Sequence, residues 1–133
     1  MKIIKKTVFE VRVPIYGKTV RVFLGYADTE ATKIVEKETG AQIAQEGEIG
    51  DAWSLKLVDR RGRTVYYLVC PTFAWTIGEQ GNLFHELTHV SCAILKTCGV
   101  DITEGNNEAL CYLQSFLFEE IARRTINALK DKP

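Results

Sequence analysis

The chain's two histidines lie four residues apart, and a glutamate directly follows the first of them. Together they form the run His85-Glu86-Leu87-Thr88-His89, which fits the HExxH pattern. Residues four apart on an α-helix lie one turn apart on the same side, so both imidazoles can reach one metal ion at about 2.0–2.1 Å. The spacing therefore predicts a Zn²⁺ site on a helix, with His85 and His89 as ligands.

Glu86 projects about 100° around the helix from His85 and about 60° from His89, which places its carboxylate beside the metal's open position. That is the position of a general base more than of a ligand. Zinc acidifies a bound water and polarises a carbonyl, so Glu86 would accept the proton of the attacking water and pass it to the leaving amine. The chemistry that this pattern predicts is hydrolysis of a peptide bond.

A helical wheel separates the two histidines from the apolar residues of the same helix. His85 and His89 lie on the side opposite the apolar stripe, whereas histidines that merely pack in a core would lie within it. The wheel therefore predicts that a cleft or a second helix meets the histidine face. The apolar stripe comprises Leu83, Phe84, Leu87, Val90, Ile94, Leu95 and Cys98.

The chain has no third histidine, so the third protein ligand of a catalytic zinc must be Asp, Glu or Cys. Glu108 is the leading candidate, because it lies at the predicted start of the next helix, where the helix dipole favours a carboxylate. If residues 99–106 fold the two helices into an antiparallel pair, their ligand faces can converge on one ion. Glu104 is the nearest alternative ligand, and Glu108 can also be an ordinary acidic residue of a first helical turn.

In these residues the chain resembles the gluzincins, the thermolysin-like zinc metallopeptidases. In that family HExxH is followed about twenty positions later by the Glu of an Asn-Glu pair, which Asn107-Glu108 matches. The two motifs look still closer to small HExxH proteins encoded by bacteriophages and prophages. The resemblance covers residues 76–117 and implies a zincin-like fold, a Zn²⁺ cofactor, Glu86 as the base, and the ligands His85, His89 and Glu108.

Two features depart from the thermolysin-like pattern. Those enzymes place an Asp four residues after the ligand Glu to orient a ligating His, and here that position is Tyr112. They also have a large second lobe with a Tyr or His that stabilises the oxyanion, for which this chain leaves no room. Tyr112 is therefore a catalytic candidate as the missing hydroxyl, and the alternative is a tyrosine packed beside the histidines with its hydroxyl in water.

Length and composition limit the remaining possibilities. The 133 residues, 46% of them hydrophobic, predict one domain spanning residues 1–133 with its own core. Seventeen basic residues balance seventeen acidic ones, which argues against a strongly positive surface for nucleic acid or anionic membrane. No apolar run is long enough for a membrane span or a secretory signal. We therefore expect a cytoplasmic protein with peptide or protein partners, and the resemblance to phage and prophage proteins implies a bacterial or phage-infected cell.

Periodicity and turn residues predict the elements that would position this site. Two hairpins and three helices are expected, and residues 41–52 are left open between an edge strand and a loop. The four cysteines lack CxxC spacing and are expected to be buried reduced thiols. The predicted elements are strands 7–13 and 19–26, helix 28–39 with Asp28 as N-cap and Gly40 as its C-terminal stop, strands 53–58 and 64–70, helix 76–98 with a Thr76/Glu79 capping box and a Schellman stop at Gly99-Val100, and helix 107–129 with Asn106 as N-cap.

These elements predict an α+β, zincin-like domain, in which a small antiparallel sheet supports the HExxH helix and a following ligand helix. The expected function is a zinc-dependent peptidase. In related folds an extended substrate pairs with a sheet edge, for which residues 64–70 or 41–47 are candidates. The alternatives are a non-catalytic zinc-binding module for a protein partner and a regulatory peptidase with one dedicated target.

Overall fold

The computed structural model describes residues 5–43, 52–71 and 74–130. Within these ranges the chain forms four strands and three helices, which confirms the predicted α+β class. In chain order the elements are β1 (Thr7–Val13), β2 (Lys18–Leu24), α1 (Asp28–Thr39), β3 (Trp53–Val58), β4 (Thr64–Cys70), α2 (Ile77–Thr97) and α3 (Glu108–Lys130).

The strands form one mixed sheet in the order β1-β2-β4-β3. Each predicted hairpin is antiparallel, but the hairpins join through β2 and β4, which run parallel. The prediction of a wholly antiparallel sheet is therefore wrong. Parallel neighbours require a long crossover connection, and the chain between β2 and β4 supplies one through α1 and β3.

The central position of β4 explains why its sequence is apolar on both faces. Tyr66 and Leu68 face the core beneath α2 and α3, whereas Val65 and Tyr67 face the smaller core beneath α1. Because β4 is paired on both sides, the prediction of a free edge at residues 64–70 is wrong, and β3 is the edge strand on that side. Of the other candidate edge, residues 41–43 have no regular secondary structure, and residues 44–47 lie outside the described residues.

Helix α1 packs on the opposite face of the sheet from α2 and α3. Its N-cap is Ala27 and not Asp28, which lies in the first turn. The carboxylate of Asp28 instead accepts a hydrogen bond from the indole N–H of Trp53 at 3.1 Å, and this bond links α1 to β3. The helix ends at Gly40 as predicted, with φ 76°.

Both ends of α2 are fixed by local signals that the sequence predicts. The backbone N–H of Glu79 donates to the Thr76 hydroxyl at 3.3 Å, and that hydroxyl donates to the Glu79 carboxylate at 2.8 Å. At the other end Gly99 has φ 75°, and the Val100 N–H donates to the Leu95 carbonyl at 2.9 Å, as in a Schellman motif. These caps determine where α2 begins and ends, and therefore where its histidines lie.

Helices α2 and α3 form the predicted antiparallel pair. The side-chain amide of Gln114 donates to the Thr88 hydroxyl at 2.7 Å, and the rings of Phe84 and Phe118 lie 4.5 Å apart. The predicted N-cap of α3 is displaced by one residue, because Asn106 uses its side-chain amide to donate to the Asp101 carbonyl at 3.0 Å. In the described part of the chain, no helix combines the length and the apolar character that crossing a membrane requires.

None of the four cysteines is in a disulfide. Only Cys70 is buried, while Cys92 is half-buried and both Cys98 and Cys111 are exposed. The prediction of four buried thiols is therefore wrong for the two exposed ones. Cys98 is the C-cap of α2 and Cys111 lies in the first turn of α3, and at these ends the helices face solvent.

Candidate metal and catalytic site

The two faces of α2 meet different surroundings. Five of the seven residues of its apolar stripe are buried, and Leu83, Leu87 and Ile94 have no exposed surface, whereas Phe84 and Cys98 are exposed. His85 and His89 are both exposed on the opposite side. The two histidines are therefore not packed core residues, as the helical wheel predicts.

The two imidazoles lie close enough together to bind the same metal ion. Their Nε2 atoms lie 3.2 Å apart, and the rings are inclined by 76° with centroids at 4.8 Å. Two nitrogen ligands of a tetrahedral zinc, each about 2.0–2.1 Å from the metal, lie about 3.3–3.4 Å apart. The same separation also suits a hydrogen bond from a protonated to an unprotonated imidazole nitrogen. The pair thus fits two corners of a zinc site.

Glu86 is half-buried, and the edge strand of the sheet holds its carboxylate. The Ser54 hydroxyl of β3 donates to Glu86 Oε2 at 2.8 Å, across 32 positions of sequence. One hydroxyl occupies only part of the acceptor capacity of a carboxylate, so Glu86 can still accept a proton. The sequence gives no motif for this contact, and its only signal is the alternation in β3 that turns Ser54 and Lys56 to the same face.

A groove runs between β3 and α2, with Glu86 at one end. It encloses about 410 Å³, and its lining includes Ser54, Lys56, Tyr66, Glu86, His89 and Ala93. A second recess of about 380 Å³ lies beside His85 and Asn82 and also includes Glu86. Both volumes fall within the range of about 300–1,000 Å³ that is usual for ligand sites. Both recesses are open to solvent, and Glu86 lines each of them.

The predicted third ligand is not brought to the histidines. Among the described residues, no three His, Cys, Asp or Glu side chains are grouped as a metal site. The contact between Thr88 and Gln114 places Glu108 level with Ile94. That level is five residues beyond His89, or about 7–8 Å along the helix axis. The role of Glu108 as a ligand stays a prediction.

Tyr112 lies closer to the level of the histidines than Glu108 does. The same helix register places it level with Val90, in the second turn of α3. Its side chain is 74% exposed, and it does not line either of the two recesses beside Glu86. Exposure agrees with the alternative of a hydroxyl in water, while the role of Tyr112 in oxyanion stabilisation stays a prediction.

Cys70 is buried, and its surroundings disfavour the thiolate. Burial, followed by the negative charges of Glu86 and Glu79, raises the pKa of the Cys70 thiol to about 12. A thiol acts as a nucleophile or metal ligand only as the thiolate, which this environment disfavours. Cys70 is therefore a packing residue of the core and not a component of the site.

A second charged groove lies at the end of the sheet near the β3–β4 turn, and two of its four arginines are in ion pairs. Arg21 donates to the Glu38 carboxylate through Nε at 2.9 Å and Nη2 at 2.6 Å. Arg63 donates to Asp59 at 3.2 Å and to Glu10 at 3.1 Å. These ion pairs hold Arg21 and Arg63, whereas Arg60 donates to the Lys37 carbonyl at 2.8 Å and Arg61 is in no ion pair with a described residue.

Comparison with known proteins does not extend this description. No family model, curated protein or solved structure matches the chain. The case for a function therefore rests on the residues and the geometry of the site itself.

Proposed function

We propose that this chain is a zinc-dependent peptidase, with His85 and His89 as metal ligands and Glu86 as the general base. The observation that carries the proposal is the 3.2 Å separation of the two Nε2 atoms on an exposed helix face. A half-buried carboxylate lies next to this pair and opens into a groove. Few structural roles require two exposed histidines, a restrained carboxylate and adjacent space at the same place.

The residues of the chain fit the chemistry that this proposal requires. When bound, zinc supplies a Lewis acid that polarises the scissile carbonyl and acidifies water. His85 and His89 hold it through their Nε2 atoms. Glu86, oriented by Ser54, takes the proton from the attacking water and returns it to the leaving amine. The groove beside Ser54 receives the peptide.

We propose Glu108 as the third ligand, with Glu104 as the alternative from the same region. Coordination by Glu108 requires the first turn of α3 to approach the histidines, because it lies about 7–8 Å along the axis from His89. If Glu108 is the ligand, Glu108→Gln will lower zinc affinity by tenfold or more, about the loss expected for a metal contact. Glu104→Gln will leave the affinity unchanged, and the reverse result would assign the ligand to Glu104.

Zinc content and hydrolysis of an unstructured protein such as casein test the proposal, with products identified by mass spectrometry. Glu86→Gln is expected to keep one zinc per chain and to lose hydrolysis by about 10²–10⁴-fold. Glu119→Gln is the matched control, since it neutralises an exposed carboxylate on α3 and should change neither quantity. Hydrolysis that persists in Glu86→Gln would refute the proposal.

A non-catalytic zinc-binding module for a protein partner is the second candidate. The observation that favours it is exposed apolar surface on α2, since Phe84, next to His85, is 43% exposed and Ile77, about two turns earlier, is 89% exposed. This candidate requires the zinc ligands but not the base. Under it, Glu86→Gln would retain zinc and partner binding, and no variant would differ from the wild type in hydrolysis.

A further inference from the structure

The groove between β3 and α2 carries opposite charges at its two ends. Glu86 is at one end and Lys56 is at the other. Apart from His89, the other described residues of the groove lining are uncharged. Lys56 lies two residues after Ser54, so both side chains are on the α2 side of β3. Its ammonium group donates to the Thr97 hydroxyl at 3.0 Å, close to the C-terminal end of α2.

Thr97 contacts this exposed ammonium without neutralising it. The Thr97 hydroxyl accepts from the Tyr66 hydroxyl at 3.0 Å as well as from Lys56, and it donates to the Ala93 carbonyl at 2.8 Å. One donor and two acceptor positions are thereby filled. An ammonium has three N–H donors, and the bond to Thr97 uses one.

Lys56 has no carboxylate partner among the described residues. The ion pairs in those parts of the chain involve Lys6, Arg21, Arg63 and Arg123 as the cations. A positioned ammonium with two remaining donors, facing a groove, is suited to a carboxylate that comes from outside the chain. We propose that Lys56 binds a carboxylate of the peptide, so that the groove selects acidic substrates.

The helix geometry sets the distance of this carboxylate from the reacting bond. Thr97 follows Glu86 by eleven residues, or about 16 Å along α2. An extended peptide covers that distance in about five residues. Because an acidic side chain has its own reach, the acid is expected about three to five residues from the scissile bond. This register rests on the proposed function, whereas the carboxylate contact itself does not.

Two sources can supply the carboxylate, namely an Asp or Glu side chain within the peptide or the free carboxylate at its C-terminus. A set of labelled ten-residue peptides made of Ala and Ser distinguishes them. One arm places a single Glu or Gln at successive positions of peptides with an amidated C-terminus. The other arm compares a free with an amidated C-terminus in peptides without Glu.

Fluorescence anisotropy then measures peptide affinity for the Glu86→Gln chain with one equivalent of zinc, so that cleavage does not consume the peptide. At the preferred position, a carboxylate should strengthen binding about three- to tenfold over its neutral counterpart. Lys56→Met should abolish this difference. Lys96→Met is the matched control, since it removes an exposed lysine of α2 that is absent from the groove lining, and the difference should persist.

A charge-reversal variant controls for loss of binding that is caused by misfolding. Lys56→Glu should prefer a peptide with Lys at the same position, which a damaged fold cannot produce. Equal affinity for charged and neutral peptides, or an equal loss in Lys56→Met and Lys96→Met, would overturn the inference. A Lys56-dependent preference without hydrolysis by the wild type would sustain this inference and refute the peptidase. Hydrolysis without any preference for an acidic peptide would support the peptidase and overturn this inference.

Discussion

Ser54 links the proposed base to the scaffold at the scale of single residues. Its hydroxyl donates to Glu86 Oε2 at 2.8 Å from a paired strand, so β3 restrains a side chain of α2. The hydrogen bond limits the rotamers of Glu86 and keeps its carboxylate in the groove. Under the proposed function, Ser54 is a positioning residue that would act on the reaction through Glu86.

Ser54→Ala should therefore lower kcat about tenfold, because a hydrogen bond to a charged group contributes about 1.5 kcal/mol. Zinc content should not change, since the hydrogen bond of Ser54 is to Glu86 and not to a proposed metal ligand. Ser54→Thr retains the hydroxyl and should recover most of the activity. Ser115→Ala, an exposed serine of α3, is the control and should behave as the wild type. A Ser54→Ala chain with unaltered kcat would remove Ser54 from the catalytic description.

The cysteines provide a test of burial that does not depend on function. Cys98 and Cys111 are exposed, while burial raises the pKa of Cys70 to about 12. We predict that iodoacetamide at pH 8 modifies Cys98 and Cys111 in the folded chain and modifies Cys70 only in denaturant. Peptide mapping by mass spectrometry identifies the alkylated residues. Rapid alkylation of Cys70 in the folded chain would contradict this arrangement of β4.

At the scale of elements, the two ends of α2 determine where the histidines lie. Gly99 determines the C-terminal end of this helix. Its φ of 75° favours glycine, and an added Cβ would contact nothing within 4 Å, so only backbone strain opposes a side chain. Gly99→Ala should reduce the free energy of unfolding by about 1 kcal/mol. Gly81→Ala, inside α2 and also free of contacts, should raise it by about 0.5–1 kcal/mol. Urea unfolding measures both, and equal effects would contradict the assigned Schellman motif.

The β3–β4 turn contains a carboxylate whose charge stabilises the fold. Hydrogen bonds from the backbone N–H of Arg63, then from its side chain and from the Arg61 N–H, hold the pKa of Asp59 below its ordinary value. A carboxyl with a lowered folded pKa stabilises the chain above its ordinary pKa, and this contribution is lost as the pH falls towards the folded value. The turn should therefore weaken under acid conditions.

Asp59→Asn is expected to lower stability at pH 7 and to make it less dependent on pH between 5 and 3. Thermal melting across this range measures the slope. Glu36→Gln removes a different carboxylate, which lies on α1. It is the control for the general effect of removing one negative charge. A wild-type slope in Asp59→Asn would show that this carboxylate does not contribute to acid unfolding.

Local signals explain which elements the sequence predicts correctly. The Thr76/Glu79 box and Gly99 determine the ends of α2 within a few residues of sequence, so those ends are predictable. The pairing of β2 with β4 depends on how two separate hairpins meet, which no local pattern encodes. For that reason the antiparallel pairing within each hairpin is predicted and the mixed sheet is not.

The same distinction applies to the candidate site. His85, Glu86 and His89 occupy one stretch of helix, so their relative placement follows from helix geometry alone. Ser54 and Glu86 come together only after β3 packs against α2, and no spacing in the sequence indicates it. The distance between Glu108 and the histidines depends on how α3 slides along α2, which the side chains at their interface determine.

At the scale of the whole molecule, the sheet separates two charged regions with different roles. One face and its edge carry the histidines, Glu86 and the groove that ends at Lys56. In the arginine-rich groove at the β3–β4 turn, Arg21 and Arg63 are held in ion pairs that stabilise the fold. Overall charge is balanced, so substrate selection is expected to depend on the local charge of the first groove and not on a general field.

The location of zinc in a crystal tests the central claim most directly. Anomalous diffraction at the zinc edge should be measured on crystals grown with one equivalent of zinc. The proposed function predicts a single peak within about 2.2 Å of Nε2 of both His85 and His89, with one coordination position open to solvent. A peak elsewhere, no peak, or a zinc with every position filled by protein side chains would contradict it.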